Sequence, residues 1–166
     1  MKKIINKLHF FNIEKTLKKI YSQKFHEFGA SPKSLLWKSI FTQDLRLELI
    51  IKIILTFDNL ENNKICDIGC GYGRFLEKLQ EHKKLNKIYY NGIDINEDFV
   101  SYCLKKYKKE NVFFHIASSP RESVDFTVMS GTYNLCTLDN VNIWEDYFTN
   151  CLSKNWLKTK RAMIFN

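Results

Sequence analysis

An α/β fold is what this 166-residue chain predicts: a parallel sheet with helices on both faces, preceded by an N-terminal helical extension. Three observations carry the prediction. From Lys64 onward short apolar runs alternate with segments of helical periodicity. A glycine-rich turn, Gly69-Cys70-Gly71-Tyr72-Gly73, joins the first run to the helix after it. Two prolines and six glycines in the whole chain leave little room for disorder or a fibrous repeat. Strands regularly separated by helices imply parallel pairing and right-handed crossovers. Ligands of such sheets bind at the carboxyl ends of the strands.

The elements follow in order. Residues 1 to about 26 carry Ile4, Ile5, Leu8, Phe11, Ile13, Leu17, Ile20 and Tyr21 at roughly helical spacing, with lysines between them. Gly29-Ala30-Ser31-Pro32 reads as a turn. A second helix is expected over 43–57, with Leu45, Leu49, Ile50, Ile53 and Ile54 on its buried side. Asp58 to Asn63 is a polar loop. Strand 1 is expected over 64–68, its helix over 73–82 and strand 2 over 87–94. Asn96 suits the cap of the next helix, with Glu97 and Asp98 in its positive first turn. Strands 3 and 4 are expected over 112–117 and 124–130, a helix over 142–157, and strand 5 over 161–166. The chain thus divides into a helical segment, 1–58, expected to serve as a lid, and a core, 59–166.

Composition narrows the function. With 45% hydrophobic and 14% aromatic residues the chain has the means for a sizeable core. The formal net charge of +8 invites a nucleic-acid or anionic-membrane partner, but the lysines are scattered, so a solvated basic surface is favoured. Five cysteines without paired spacing do not make a disulfide framework, and no metal-ligand pattern follows Cys66 and Cys70. The N-terminus lacks an unbroken apolar signal core, and the run from Leu49 to Phe57 is too short to span a bilayer. A reduced, cytoplasmic protein is the expectation.

The glycine turn admits two cofactor classes. Dinucleotide binders want G-x-G-x-x-G, whereas here Arg74 stands at the third-glycine position and Gly73 comes one residue early. Asp67, two residues before Gly69, would repel a pyrophosphate and suits a cofactor with a cationic amino group. Both departures count against NAD. At the end of strand 2, Asp94 lies 21 residues beyond Gly73, and a carboxylate there has two oxygens for two ribose hydroxyls.

Asp67, Gly69, Gly71 and Gly73 together resemble the first motif of the class I S-adenosylmethionine-dependent methyltransferases, and Asp94 resembles their second. The resemblance covers about 24–166 and implies a Rossmann-like sheet of order 3-2-1-4-5 with S-adenosyl-L-methionine as cofactor. It implies that Asp67 serves the methionine end, that the glycines admit it, that Asp94 holds the ribose and that Ile95 faces the adenine. After strand 3 the family's polar adenine anchor is missing, leaving Ala117 and Ser118 for that contact. The Ser130-Gly131-Thr132-Tyr133-Asn134 stretch resembles a bacterial subgroup acting on small molecules and glycan precursors, which nominates Ser130, Tyr133 and Asn134 as substrate-side residues. Arg46, one turn after Gln43, is nominated for the cofactor carboxylate.

The expected function is methyl transfer to a small-molecule or sugar acceptor, with nucleic acid disfavoured and no catalytic base or metal assigned. A SAM-binding remnant or interaction module without turnover is the alternative, with an NAD-dependent oxidoreductase behind it. The family's final antiparallel strand pair is missing from this sequence, so a truncated chain is expected, with strand 5 covered by a second copy or a partner.

Overall fold

The computed structural model describes residues 2–85 and 87–166, with side chains from Lys7 onward; Ile4 and Ile5 of the expected stripe lie outside the described side chains. Helix α1 (Lys2–Phe28) contains no glycine or proline and ends where Gly29 takes φ +61° and returns its N–H to the Phe25 carbonyl at 2.8 Å. A 3-10 turn over Pro32–Leu35 follows. Helix α2 (Ile40–Ile54) starts three residues before the expected position because Ser39 caps it, accepting from the Thr42 N–H at 3.2 Å.

The buried side of α2 differs from the expectation. Leu47, Ile50, Ile51 and Ile54, at the i, i+3, i+4, i+7 spacing, face the sheet together with Gln43. Ile50 and Ile54 are buried as expected, whereas Leu45, Leu49 and Ile53 are about half exposed. The helix carries more apolar residues than one stripe holds, and ion pairs set its rotation. Asp44 takes the Arg74 guanidinium at 2.5 Å, and Glu48 takes Lys78 at 2.9 Å, both from the neighbouring helix α3 (Arg74–Gln80).

The sheet comprises β1 (Lys64–Ile68), β2 (Tyr89–Asp94), β3 (Val112–Ile116), β4 (Val124–Met129) and β5 (Thr159–Phe165), all parallel, in the order β3-β2-β1-β4-β5. Helix α4 (Glu97–Lys106) is capped by Asn96, whose side chain accepts from the Asp98 N–H at 2.9 Å. Helix α5 (Val141–Trp156) joins β4 to β5. One face of the sheet buries Ile65, Tyr90, Phe114, Phe126, Val128 and Ile164 beneath α2, α3 and α4. On the other face Cys66, Ile68, Ile93 and Met129 form a smaller cluster, with Leu152 of α5 packed against it. His115 of β3 lies on that second face in a shallow groove beside Tyr89, Asn91 and Phe113. The crossover from β3 to β4 contains no helix, so this part of the face has no helical cover.

The chain leaves β1 toward β2 and β3 on one side, then returns to β4 on the other. The switch point therefore lies above the adjacent carboxyl ends of β1 and β4, where a crevice opens. Over it sits a third cluster, Ile13 and Leu17 of α1 with Trp144, Tyr147 and Cys151 of α5. No described helix is long and apolar enough to cross a membrane.

Candidate cofactor and substrate site

A pocket occupies the switch point. Ile68 and Gly69 at the end of β1, Asp94 and Ile95 at the end of β2, and Ala117 and Ser118 after β3 form its floor. Ser130, Gly131, Thr132 and Tyr133 after β4 line one wall. Leu17 and Tyr21 of α1, Leu35 and Trp37 of the following segment, Phe99 of α4 and Tyr147 of α5 close it.

Asp94 is the charged residue in this lining. One carboxylate oxygen accepts from the Gly71 N–H at 3.0 Å and the other from the Asn96 N–H at 2.8 Å. Each oxygen has a second lone pair for a ligand hydroxyl. Burial pushes the Asp94 carboxyl up to about 6, against the lowering pull of the Asn96 and Gly71 N–H groups and of Lys18. Asp67 is buried in β1 and accepts from the Tyr90 hydroxyl at 2.5 Å. Burial raises it to about 7, the Tyr90 bond opposes this, and the charge on Asp94 adds to it.

The three glycines of the turn have different tasks. All take positive φ: +72° at Gly69, +52° at Gly71 and +85° at Gly73. Only Gly69 faces the pocket, and there the Thr132 side chain crosses above it while donating to the Ile68 carbonyl at 2.7 Å. A Cβ on Gly71 would stand 2.7 Å from Leu35 Cδ1, and one on Gly73 would stand 2.6 Å from the Tyr107 ring. Those two glycines admit the protein's own side chains. We expect Gly71→Ala to cost about 2 kcal/mol in urea unfolding, from left-handed strain plus the Leu35 collision. Combined with Leu35→Ala, it should cost about 1 kcal/mol less than the sum of the two single changes, because the collision is gone while the strain stays.

The structure therefore brings Gly69, Asp94, Ile95, Ala117, Ser118, Ser130 and Tyr133 to one pocket and leaves five nominated residues outside its lining. Asp67, Gly71 and Gly73 lie behind the turn, held as described. Arg46 is exposed, its guanidinium 5.0 Å from the Trp37 ring centre, because the residue faces outward from α2. Gln43, one turn earlier, instead accepts from the buried Tyr72 hydroxyl at 2.5 Å. Asn134 is exposed, one residue past Tyr133, where the chain turns away from the pocket. Tyr21, Leu17, Thr132, Phe99 and Tyr147 join the site without having been nominated. Their local signals are those of ordinary helix or loop residues: Leu17, Tyr21 and Tyr147 arrive through the docking of α1 and α5 over the switch point, and Phe99 and Thr132 from α4 and the loop after β4.

A methyltransferase domain family matches residues 65–154, more than half of the chain. The chain belongs to that methyltransferase family. The match runs from β1 nearly to the end of α5, so it contains the glycine turn, Asp94 and the β4 loop. Among solved structures, the plantazolicin methyltransferase BpumL, in complex with a monoazolic desmethylPZN analog and SAH, is similar with a TM-score of 0.57 at 19% identity. That likeness covers 98% of this chain and 60% of BpumL. Magnesium protoporphyrin IX methyltransferase from Synechocystis PCC 6803, with bound SAM, gives a TM-score of 0.54 at 17% identity, over 73% of this chain and 56% of that one. Coclaurine N-methyltransferase, bound to N-methylheliamine and SAH, gives 0.53 at 15% identity, over 74% and 34%. At these identities the likeness is one of fold. This methyltransferase-family chain spans little more than half the length of the first two. No curated protein matches the sequence.

Proposed function

We propose that the pocket binds S-adenosylmethionine and that the protein transfers its methyl group to a small-molecule acceptor. The observation that carries this reading is the convergence of Gly69, Asp94, Ile95, Ala117 and Ser118 at the switch point of a methyltransferase-family sheet. An orphaned polar atom supports the fit: the Ser130 hydroxyl is buried on the pocket wall without a hydrogen-bond partner. The SAM and SAH in the similar structures support the same cofactor.

In this reading Asp94 receives the two ribose hydroxyls on its free lone pairs, and Ile95 and Ala117 bracket the adenine. Gly69 lets the cofactor approach the backbone. The bound cofactor supplies a methyl group already activated by its sulfonium. The protein has to align the acceptor, hold it close and exclude water. Residues 1–58 act as the lid: α1 and the segment through Trp37 supply Leu17, Tyr21, Leu35 and Trp37 to the pocket roof. The apolar, aromatic walls favour an organic acceptor over a sugar, whose many hydroxyls would find few partners among the described residues.

Calorimetric titration tests the reading. S-adenosylmethionine and S-adenosylhomocysteine should bind in the micromolar range, and NAD should not bind. Binding of NAD in place of either would sink the cofactor assignment. Turnover, measured as transfer of labelled methyl groups, then separates an enzyme from a cofactor-binding remnant.

A further inference from the structure

We infer that the acceptor is an apolar amine whose nitrogen reacts as the neutral free base, without a protein group to take its proton. This rests on the cofactor reading above and adds the substrate class to it. The described lining holds one carboxylate, Asp94, already engaged by two backbone N–H groups. It holds no histidine, lysine, arginine, cysteine or glutamate. Its other titratable groups are the phenols of Tyr21, Tyr133 and Tyr147, which are acids of ordinary pKa about 10 and poor proton acceptors. Burial raises all three further. An alcohol or phenol acceptor must lose its proton to attack, and no lining group is suited to remove it. A carboxylate or phosphate acceptor would need a cation, and the lining offers none.

A neutral amine needs neither. Its lone pair forms the new N–C bond as the C–S bond breaks, and the bond's electron pair stays on sulfur. The positive charge passes from sulfur to nitrogen, and an N–H proton, where present, leaves to water after release. The walls suit the resulting ammonium. Tyr21, Tyr133 and Tyr147 present aromatic rings, and aromatic faces attract cations. Arg46 already covers Trp37, so the tyrosines carry this part. Glu14 of α1 raises the pKa of Tyr133, Tyr147 and Cys151 electrostatically, so its negative charge is felt at the two tyrosines, while Lys154 opposes it at Cys151.

The test uses the whole chain with saturating S-adenosylmethionine and three probes sharing one ring: N-methylbenzylamine, 4-ethylphenol and 3-phenylpropanoate. Labelled methyl groups should appear on the amine alone. The rate should climb about tenfold per pH unit from pH 7 to 9, following the free-base fraction of the amine. Methylation of the phenol or the carboxylate, or an amine rate flat across that range, overturns the inference. S-adenosylhomocysteine binding is measured on the same preparation. Binding without amine methylation removes the substrate class and leaves the cofactor reading standing, whereas absence of binding removes both.

Discussion

Asp94→Asn should weaken S-adenosylhomocysteine binding on the order of 100-fold, about 3 kcal/mol, in calorimetric titration. The substitution keeps the size of the side chain and one carbonyl acceptor, and it removes the charge and the second acceptor oxygen. Two charge-assisted bonds to ribose hydroxyls would thereby be lost or weakened. Thermal unfolding of the ligand-free variant distinguishes this from collapse of the turn, since the Gly71 and Asn96 N–H groups also depend on Asp94. Unchanged affinity in a folded Asp94→Asn protein would remove Asp94 from the ribose.

The same residue sets a pH dependence. Its folded-state pKa is raised to about 6, above the usual carboxylate range near 4. A raised acid contributes stability that is fully present below about pH 4 and is lost as pH rises through about 6. In the proposed cofactor reading ligand binding runs the other way, because the ionised form would hold the ribose. The dissociation constant should therefore rise about tenfold per unit as pH falls below about 6, and level off above about 7. Asp67, raised to about 7 and bonded to Tyr90, adds a stability loss of the same sign at slightly higher pH. In Asp94→Asn the pH dependence of affinity below 6 should disappear.

Phe126→Ala should destabilise the fold by about 3–5 kcal/mol, a large share of the 5–15 kcal/mol typical of a domain. Phe126 is fully buried in β4, its ring 5.1 Å from that of Phe57, and the Arg161 guanidinium lies 5.3 Å from its centre. Its partners come from the segment after α2, from β4 and from β5, so the cavity cannot collapse by moving one side chain. The melting temperature should fall by roughly 10 °C. Saturating cofactor product, at about 100 times its dissociation constant, should restore about 2.7 kcal/mol of this if the pocket stays intact. A loss below 1 kcal/mol would mean that β4 does not anchor the core.

Much of the fold was legible because its signals are local. Gly69, Gly71 and Gly73 stand where the backbone needs positive φ, and alternation of apolar runs with helical stretches follows from strand and helix geometry. Asn96 caps α4 with its own side chain, and Asp94 closes β2. The rotation of α2 was not legible. Eight isoleucines and leucines among its 15 residues permit more than one stripe, and the choice was made by Arg74 and Lys78 reaching Asp44 and Glu48 from another helix. The placement of Arg46 outside the pocket follows from that rotation.

The sequence by itself determined a βαβ nucleotide-cofactor frame, its central turn, the acid at the next strand end and the family to which they point. Only the tertiary structure decided which of these residues line the pocket. Gly71 and Gly73 are spent on Leu35 and Tyr107, Asp67 is turned to Tyr90, and the aromatic roof comes from α1 and α5, far away in sequence. The physical reason is that backbone conformation is set within a few residues, whereas the side of a turn that faces solvent, ligand or core depends on which distant elements pack against it.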